Sequence, residues 1–244
     1  MINLVVDVGN TNTKLFLFEE GKLIFKHFES NEHKHFNSRI IHLLKNSKID
    51  NCIVSSVSKI NNEKYIFFKE NFNTFFFNRE MKVPVEIGYR TPETLGYDRI
   101  ANVSGASVLF PGKDVLVIDS GTAITYDIIE AGIRYLGGNI SPGILTRFKS
   151  LHTFTEKLPL LNISFNTVGL YGDSTESAII LGVQNGITYE VMSTINAFKG
   201  VYKDLVVVFT GGDVFFFEKS LKICIFVEPN LTAIGLNKIL EINV

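Results

Sequence analysis

The chain has 244 residues, 45% of them hydrophobic, 20% charged and 21 of them Phe, which excludes a disordered tail or a small disulfide scaffold and suits one large α/β domain or two similar halves. Its 24 Lys and Arg against 25 Asp and Glu leave a formal net charge of -1, so no basic excess steers it onto nucleic acid. Cys52 and Cys224 each lie in an apolar run and are expected to be inert buried thiols of a reducing compartment. No zinc-ligand spacing occurs. The opening MINLVVDVGN carries no basic stretch, Asp7 interrupts its apolar run, and no run approaches the roughly 18 apolar residues that cross a bilayer. The expected address is the cytoplasm, with no membrane and no nucleic-acid partner.

The first elements read as strand, tight turn, strand, turn, strand: VVDVGNTNT at residues 5 to 13 leads into an alternating run that ends at Glu20-Gly21. A helix over 36 to 45 places Phe36, Ile40, Ile41, Leu43 and Leu44 on a broad apolar stripe, and another over 98 to 110 does so with Ile100, Val103, Ala106 and Leu109. Pro111-Gly112-Lys113 is the best linker, giving lobes over 1–112 and 113–244. The first pattern then returns as VIDSGTAIT at 117 to 125, with its turn at Ala131-Gly132. Ser141-Pro142 predicts an N-cap and first helical residue for a helix through Lys157. Asp173 and Glu176 resemble a capping box before a helix to about Phe198, in which Gly182 and Gly186 suggest close helix approach. Strands at 205–210 and 222–227 and a helix from about Asn230 complete the chain. Residues 25 to 80 carry no motif that can be matched.

Asp7-Val8-Gly9-Asn10-Thr11-Asn12-Thr13-Lys14 concentrates what a triphosphate needs: small residues that admit backbone N–H groups, a Lys to offset charge, and an Asp able to hold Mg²⁺ through water. A polar hairpin that only satisfies its own turn is the alternative for one copy alone. Asp119 ends the apolar run VLVI, so its carboxylate needs a cation or donors; an Asp that only caps its own turn is the alternative. Thr210-Gly211-Gly212-Asp213 offers a flat surface on which an adenine ring could lie. His27, His33, His35, His42 and His152 sit in polar segments without ligand spacing and read as solvated. Phe75 to Phe77 and Phe215 to Phe217 lack interleaved Arg or Lys and read as core.

Two D-x-G-T-like hairpins and a late Gly-Gly loop resemble the phosphate 1, phosphate 2 and adenosine motifs of the actin, sugar kinase and Hsp70 superfamily. Within it the chain is similar to the type III pantothenate kinases over nearly its whole length, through D-V-G-N-T-N-T-K at 7 to 14, G-Y-D-R at 96 to 99, D-S-G-T-A-I-T at 119 to 125, G-G-N-I-S-P-G at 137 to 143 and T-G-G-D at 210 to 213. The resemblance implies an α/β fold of duplicated ribonuclease H-like, actin-like ATPase lobes with a nucleotide cleft between them. It also implies an enzyme that phosphorylates pantothenate with ATP and Mg²⁺ at the start of coenzyme A biosynthesis. By the same resemblance Asp7, Val8, Gly9, Asn10, Thr11, Asn12, Thr13, Lys14 and Thr122 contact ATP, and Asp119 holds a monovalent cation, K⁺ or NH₄⁺. Tyr89, Gly96, Tyr97, Asp98 and Arg99 bind pantothenate with Asp98 as the base, and Thr175 reaches the substrate from the second subunit of a homodimer. Around Thr175 the chain departs from the family pattern: Asp173 and Ser174 replace a basic residue and the usual Asn, and Leu181 a small polar one. The G-Y-D-R chemistry is sensible on its own terms, since a small carboxylate with a primary hydroxyl needs one fixed cation, here one of only six Arg, and one proton acceptor; for this segment alone the alternative is an Asp-Arg pair at the start of a helix, where the dipole favours Asp. The alternatives are an ATP-binding accessory protein, which has no need of that acceptor, and another small-molecule kinase of the superfamily.

Overall fold

The computed structural model describes residues 1–9, 12–31, 35–45, 47–56, 62–221 and 223–244, with the backbone alone at 62–65. Asn10, Thr11, His33 and the start of the expected strand at Lys222 lie outside the described residues. In chain order the elements are β1 (Ile2–Val8), β2 (Asn12–Glu19), β3 (Lys22–Ser30), α1 (Phe36–Leu44), β4 (Asn51–Ser56), α2 (Asn62–Asn71), β5 (Thr74–Phe76), β6 (Glu86–Ile87), a 3-10 turn (Pro92–Thr94) and α3 (Tyr97–Leu109). They continue with β7 (Val115–Ser120), β8 (Ala123–Glu130), β9 (Arg134–Pro142), α4 (Ile144–Thr153), α5 (Thr175–Val201), β10 (Val206–Thr210), α6 (Val214–Ser220), β11 (Phe226–Val227) and α7 (Leu231–Glu241).

Two compact units result, one of Met1–Leu109 with Asn230–Val244 and one of Phe110–Pro229. The last helix, expected with residues 113–244, therefore clusters with the first unit: α7 packs on α3, β1 and β4 and buries Leu231, Leu236, Ile239 and Leu240.

The first unit's sheet runs β3-β2-β1-β4-β5, antiparallel through the three hairpin strands and parallel from β1 through β4 to β5. The second unit repeats the plan, its strands running β9-β8-β7-β10-β11 with antiparallel β7, β8 and β9 and parallel β10 and β11. The repeat extends to the turns. Glu20 (φ 48°) and Gly21 (φ 76°), like Ala131 (φ 51°) and Gly132 (φ 66°), are both left-handed, the two-residue geometry whose twist matches the flanking strands. Each unit has its own core. In the first, Leu4, Val6, Leu15 and Leu17 pack with Ile40 of α1, Val54 of β4 and Phe67 and Phe68 of α2. In the second, Ile179, Val183, Ile187, Val191 and Ile195 recur every fourth residue along α5, the helical period, and bury against Leu116, Ile118, Tyr126, Phe209 and Phe148.

Several local expectations shift. Ser141 and Pro142 end β9 instead of opening a helix, because they pair with Ile124 and Ala123 in the ladder, and α4 starts at Ile144 behind Gly143 and stops at Thr153. The helix box is Ser174 with Ser177, one residue later than Asp173 with Glu176. The strand expected over 222–227 is reduced to Phe226–Val227. Cys52 is buried and its thiol is pushed up to about 12 by desolvation, but Cys224 is exposed. Within Phe215 to Phe217, Phe216 and Phe217 are core while Phe215 is 74% exposed. Nothing of the described residues approaches a Cβ built on Gly182 or Gly186, so the close approach expected there is not met within the chain.

Candidate active site

The candidate residues fall into two sets, one in each unit. In the first unit, the ladder pairs Asp7 near the end of β1 with Lys14 of β2, and directly opposed residues share a sheet face. Lys14 Nζ lies 3.6 Å from Asp7 Oδ2, with the aspartate side chain only 17% exposed. Burial, opposed by Lys14, raises the Asp7 carboxyl above the ordinary range, and the charge of Asp98 adds to the rise. Val8 is buried, the turn between β1 and β2 is closed by Gly9 N–H donating to Asn12 O at 3.0 Å, and Thr13 is fully buried. The Thr13 hydroxyl donates to Asn31 Oδ1 and Asn31 Nδ2 donates to Gly9 O, both at 2.7 Å.

Asp98 lies in the first turn of α3, where a negative charge favours the helix N-terminus. Its Oδ1 accepts from Arg99 N–H at 2.9 Å. A Cβ on Gly96 would lie 2.3 Å from that oxygen, so glycine at 96 is what lets the carboxylate fold back over the turn. Arg99 is 4% exposed, with its guanidinium carbon 5.5 Å from the Tyr89 ring centre. Tyr97 meets Phe77 at 4.9 Å between ring centres with the planes tilted by 46° and carries Arg79 over its ring at 5.1 Å. Arg79, which no motif singled out, donates to the carbonyls of Pro92 and Leu95 and so ties down the segment that delivers Gly96 to Arg99. Neither Arg79 nor Asn31 had a local signal in the sequence, since each acts on backbone more than ten residues away.

In the second unit, Asp119 near the end of β7 is partly buried and faces Thr125 across the ladder. Ser120 is buried, and its hydroxyl donates to Asp213 Oδ2 at 3.2 Å while Asp213 N–H donates to Ser120 O at 3.1 Å. Burial raises the Asp213 carboxyl, against the Ser120 hydrogen bond. Gly211 has φ +98°, and a Cβ there would lie 2.3 Å from Ser120 O and 2.5 Å from Asp119 Oδ1. The Gly-Gly loop therefore rests directly on the second Asp-x-Gly turn. Thr122 O accepts from Thr146 Oγ1 at 2.7 Å and from Gly143 N–H at 3.0 Å. Gly121, Thr122, Leu145, Thr146, Lys149 and Asp213 line a cavity of about 270 Å³. Thr175 opens α5 and lines another, of about 630 Å³, with Arg147 and Gly182. Arg147 is held by Glu190, which also accepts from Ser141 at 2.5 Å and Tyr126 at 2.8 Å.

Among the described residues no cluster of His, Cys, Asp and Glu is arranged to hold a metal by itself, and no helix is long and apolar enough to cross a membrane. The model of the type III pantothenate kinase family matches residues 3–197. The type III pantothenate kinase of Phocaeicola vulgatus is 42% identical over 243 residues, covering 99% of each chain. Among solved structures, a Baf family protein of Campylobacter jejuni superposes at TM-score 0.61 with 24% identity, covering 98% of this chain and 97% of that one. Component A of the (R)-2-hydroxyglutaryl-CoA dehydratase of Acidaminococcus fermentans does so at 0.55 with 15% identity, covering 100% and 98%. The architecture is accordingly α/β with the duplicated unit of the actin-like ATPases.

Proposed function

The chain belongs to the type III pantothenate kinase family, and from that premise we infer that it transfers the γ-phosphoryl group of ATP to pantothenate, the first step of coenzyme A biosynthesis. The observation that carries the assignment of roles is the turn at the start of α3, where Asp98 Oδ1 accepts from Arg99 N–H at 2.9 Å. It sets a carboxylate suited to receive a hydroxyl proton next to a buried guanidinium, that of Arg99, in the unit that also holds the phosphate-loop pair of Asp7 and Lys14.

Pantothenate offers a carboxylate and a primary hydroxyl. Arg99, with its plane set by Tyr89, is the fork for the carboxylate. Asp98 orients the hydroxyl and takes its proton as the new O–P bond forms and the bond to the ADP leaving oxygen breaks. Gly96 and Tyr97 complete the pantothenate segment. The turn from Asp7 to Lys14 receives the ATP phosphates, with Lys14 offsetting charge. The residues fit a divalent ion: Asp7 is a half-buried carboxylate whose desolvation disfavours the anion, and a cation held through water would relieve this. Mg²⁺ supplies charge neutralisation on the transferring phosphoryl group. Asp119, an oxygen donor against the Gly211 loop, is suited to a K⁺ or NH₄⁺ ion.

The working enzyme is a homodimer whose site is completed by Thr175 of a second copy. Supporting this are the open helix surface at Gly182 and Gly186 and the exposed Val168, Leu170 and Tyr171 on the segment preceding α5. A cytoplasmic address accords with two free thiols. A coupled ADP-release assay tests the function. Release that requires pantothenate is expected. Release with ATP alone, or only with another small alcohol, would refute the assignment.

A further inference from the structure

We propose that Asn31 is a positioning residue that holds the first phosphate loop in its nucleotide-binding shape. This rests on the assignment of the Asp7 to Lys14 turn to ATP. Asn31 follows β3 in a stretch that carries no motif, yet its one amide group bridges both ends of that turn. Its oxygen accepts from Thr13 Oγ1 and its nitrogen donates to Gly9 O, both at 2.7 Å. Gly9 follows β1 and Thr13 lies in β2, so the amide closes the hairpin mouth from the side. The contact to Gly9 also fixes the direction of its carbonyl and hence the rigid peptide plane at which the chain leaves β1.

Three features make this bridge hard to replace. Thr13 is fully buried beneath Asn31, and a buried donor without a partner is costly. Only an amide presents an acceptor and a donor side by side. A carboxylate at 31 would keep the acceptor for Thr13 but set an oxygen against the Gly9 carbonyl, and an aliphatic side chain would lose both bonds. The strand that delivers Asn31 is itself anchored. Glu29, which pairs with Thr13 across the ladder, is 4% exposed, and its carboxylate is gripped by His27 Nε2 at 3.0 Å and by Arg39 Nε of α1 at 3.2 Å.

The role is tested by calorimetric titration of ATP in the absence of pantothenate, alongside steady-state kinetics and thermal melts, for wild type, Asn31→Ala, Asn31→Asp, Thr13→Val and the Thr13→Val/Asn31→Ala pair. Asn31→Ala should weaken ATP binding about tenfold, within the range expected of one or two hydrogen bonds, and Asn31→Asp at least as much. The pantothenate KM should stay within about twofold, because the bonds to Thr13 and Gly9 both act on the phosphate loop. The double variant should bind ATP no worse than about its weaker single parent, the sign of one shared interaction. Wild-type ATP affinity in Asn31→Ala would overturn the role alone. So would a loss of both substrates that tracks a fall in Tm, which marks a merely structural residue. No ATP binding by the wild-type protein would instead overturn the loop assignment and this role with it.

Discussion

Replacing Asp98 by Asn removes one charge and one proton acceptor while keeping almost the same shape. The new side-chain oxygen can still accept from Arg99 N–H, the contact that Asp98 Oδ1 makes at 2.9 Å, and Gly96 leaves room for it. The structural cost is therefore confined to a lost charge at a helix N-terminus, about 0.3–1 kcal/mol, too little to unfold a domain. The catalytic cost is larger: a positioned general base contributes about 10²–10⁴-fold, or roughly 3–5 kcal/mol of barrier at 1.36 kcal/mol per tenfold. Asp98→Asn should thus lose kcat by that factor, bind ATP as wild type does and melt within a few degrees of it. Arg99→Ala is the contrast. It removes a buried guanidinium from the ground-state complex and should raise the pantothenate KM by about 10–100-fold, the worth of a charged hydrogen bond, with the smaller effect on kcat. Both are read by coupled ADP release at saturating ATP with varied pantothenate. An Asp98→Asn enzyme that keeps more than about a tenth of wild-type kcat, far above the general-base range, would refute the assignment and leave Asp98 as a helix-end residue.

Because the folded state raises the Asp7 carboxyl, its ionised form costs stability once the pH rises above the value of the unfolded chain, about 3.9. Asp7→Asn should therefore raise Tm at neutral pH while abolishing activity, the gain vanishing in melts below about pH 3.9; an equal or lower Tm at neutral pH would contradict the sign of the shift. Asp98→Asn, by removing a like charge, should lower the Asp7 titration midpoint in a carboxyl NMR titration, and an unchanged midpoint would show that the two groups do not share a field. Activity should depend on K⁺ or NH₄⁺, and Asp119→Asn should lose that dependence with most of the activity; full turnover with Mg²⁺ and Tris as the only cations would count against a cation at Asp119. Mixing inactive Thr175→Ala and Asp98→Asn proteins should restore part of the activity through heterodimers with one intact composite site, whereas an active monomer in sedimentation would end the idea of a shared site.

Much of the fold was legible because it is written over short distances. The two Asp-x-Gly hairpins announce themselves through alternation, a Gly turn and a repeat, and the structure gives both the same turn geometry and strand order. The long α5 was legible from its four-residue apolar period. By contrast α2 escaped, because its apolar residues Ile66, Phe67 and Phe68 are consecutive and its burial comes from the sheet beneath it.

The candidate chemistry divides in the same way. Residue types and order alone marked Asp7 to Lys14, Asp98, Arg99 and Asp119, since phosphate, hydroxyl and carboxylate each demand particular donors and charges at close spacing. Only the tertiary structure decided the surroundings of these groups, burying Arg99 and setting its guanidinium carbon 5.5 Å from the Tyr89 ring centre. It also placed α7 with the first unit through packing on α3, gave Ser141 to a strand through its partner Ile124, and left Cys224 in solvent despite its apolar run. Asn31 and Arg79 became visible only then, because a side chain that holds distant backbone by one or two hydrogen bonds leaves no periodicity and no motif, and its partners are chosen by the fold.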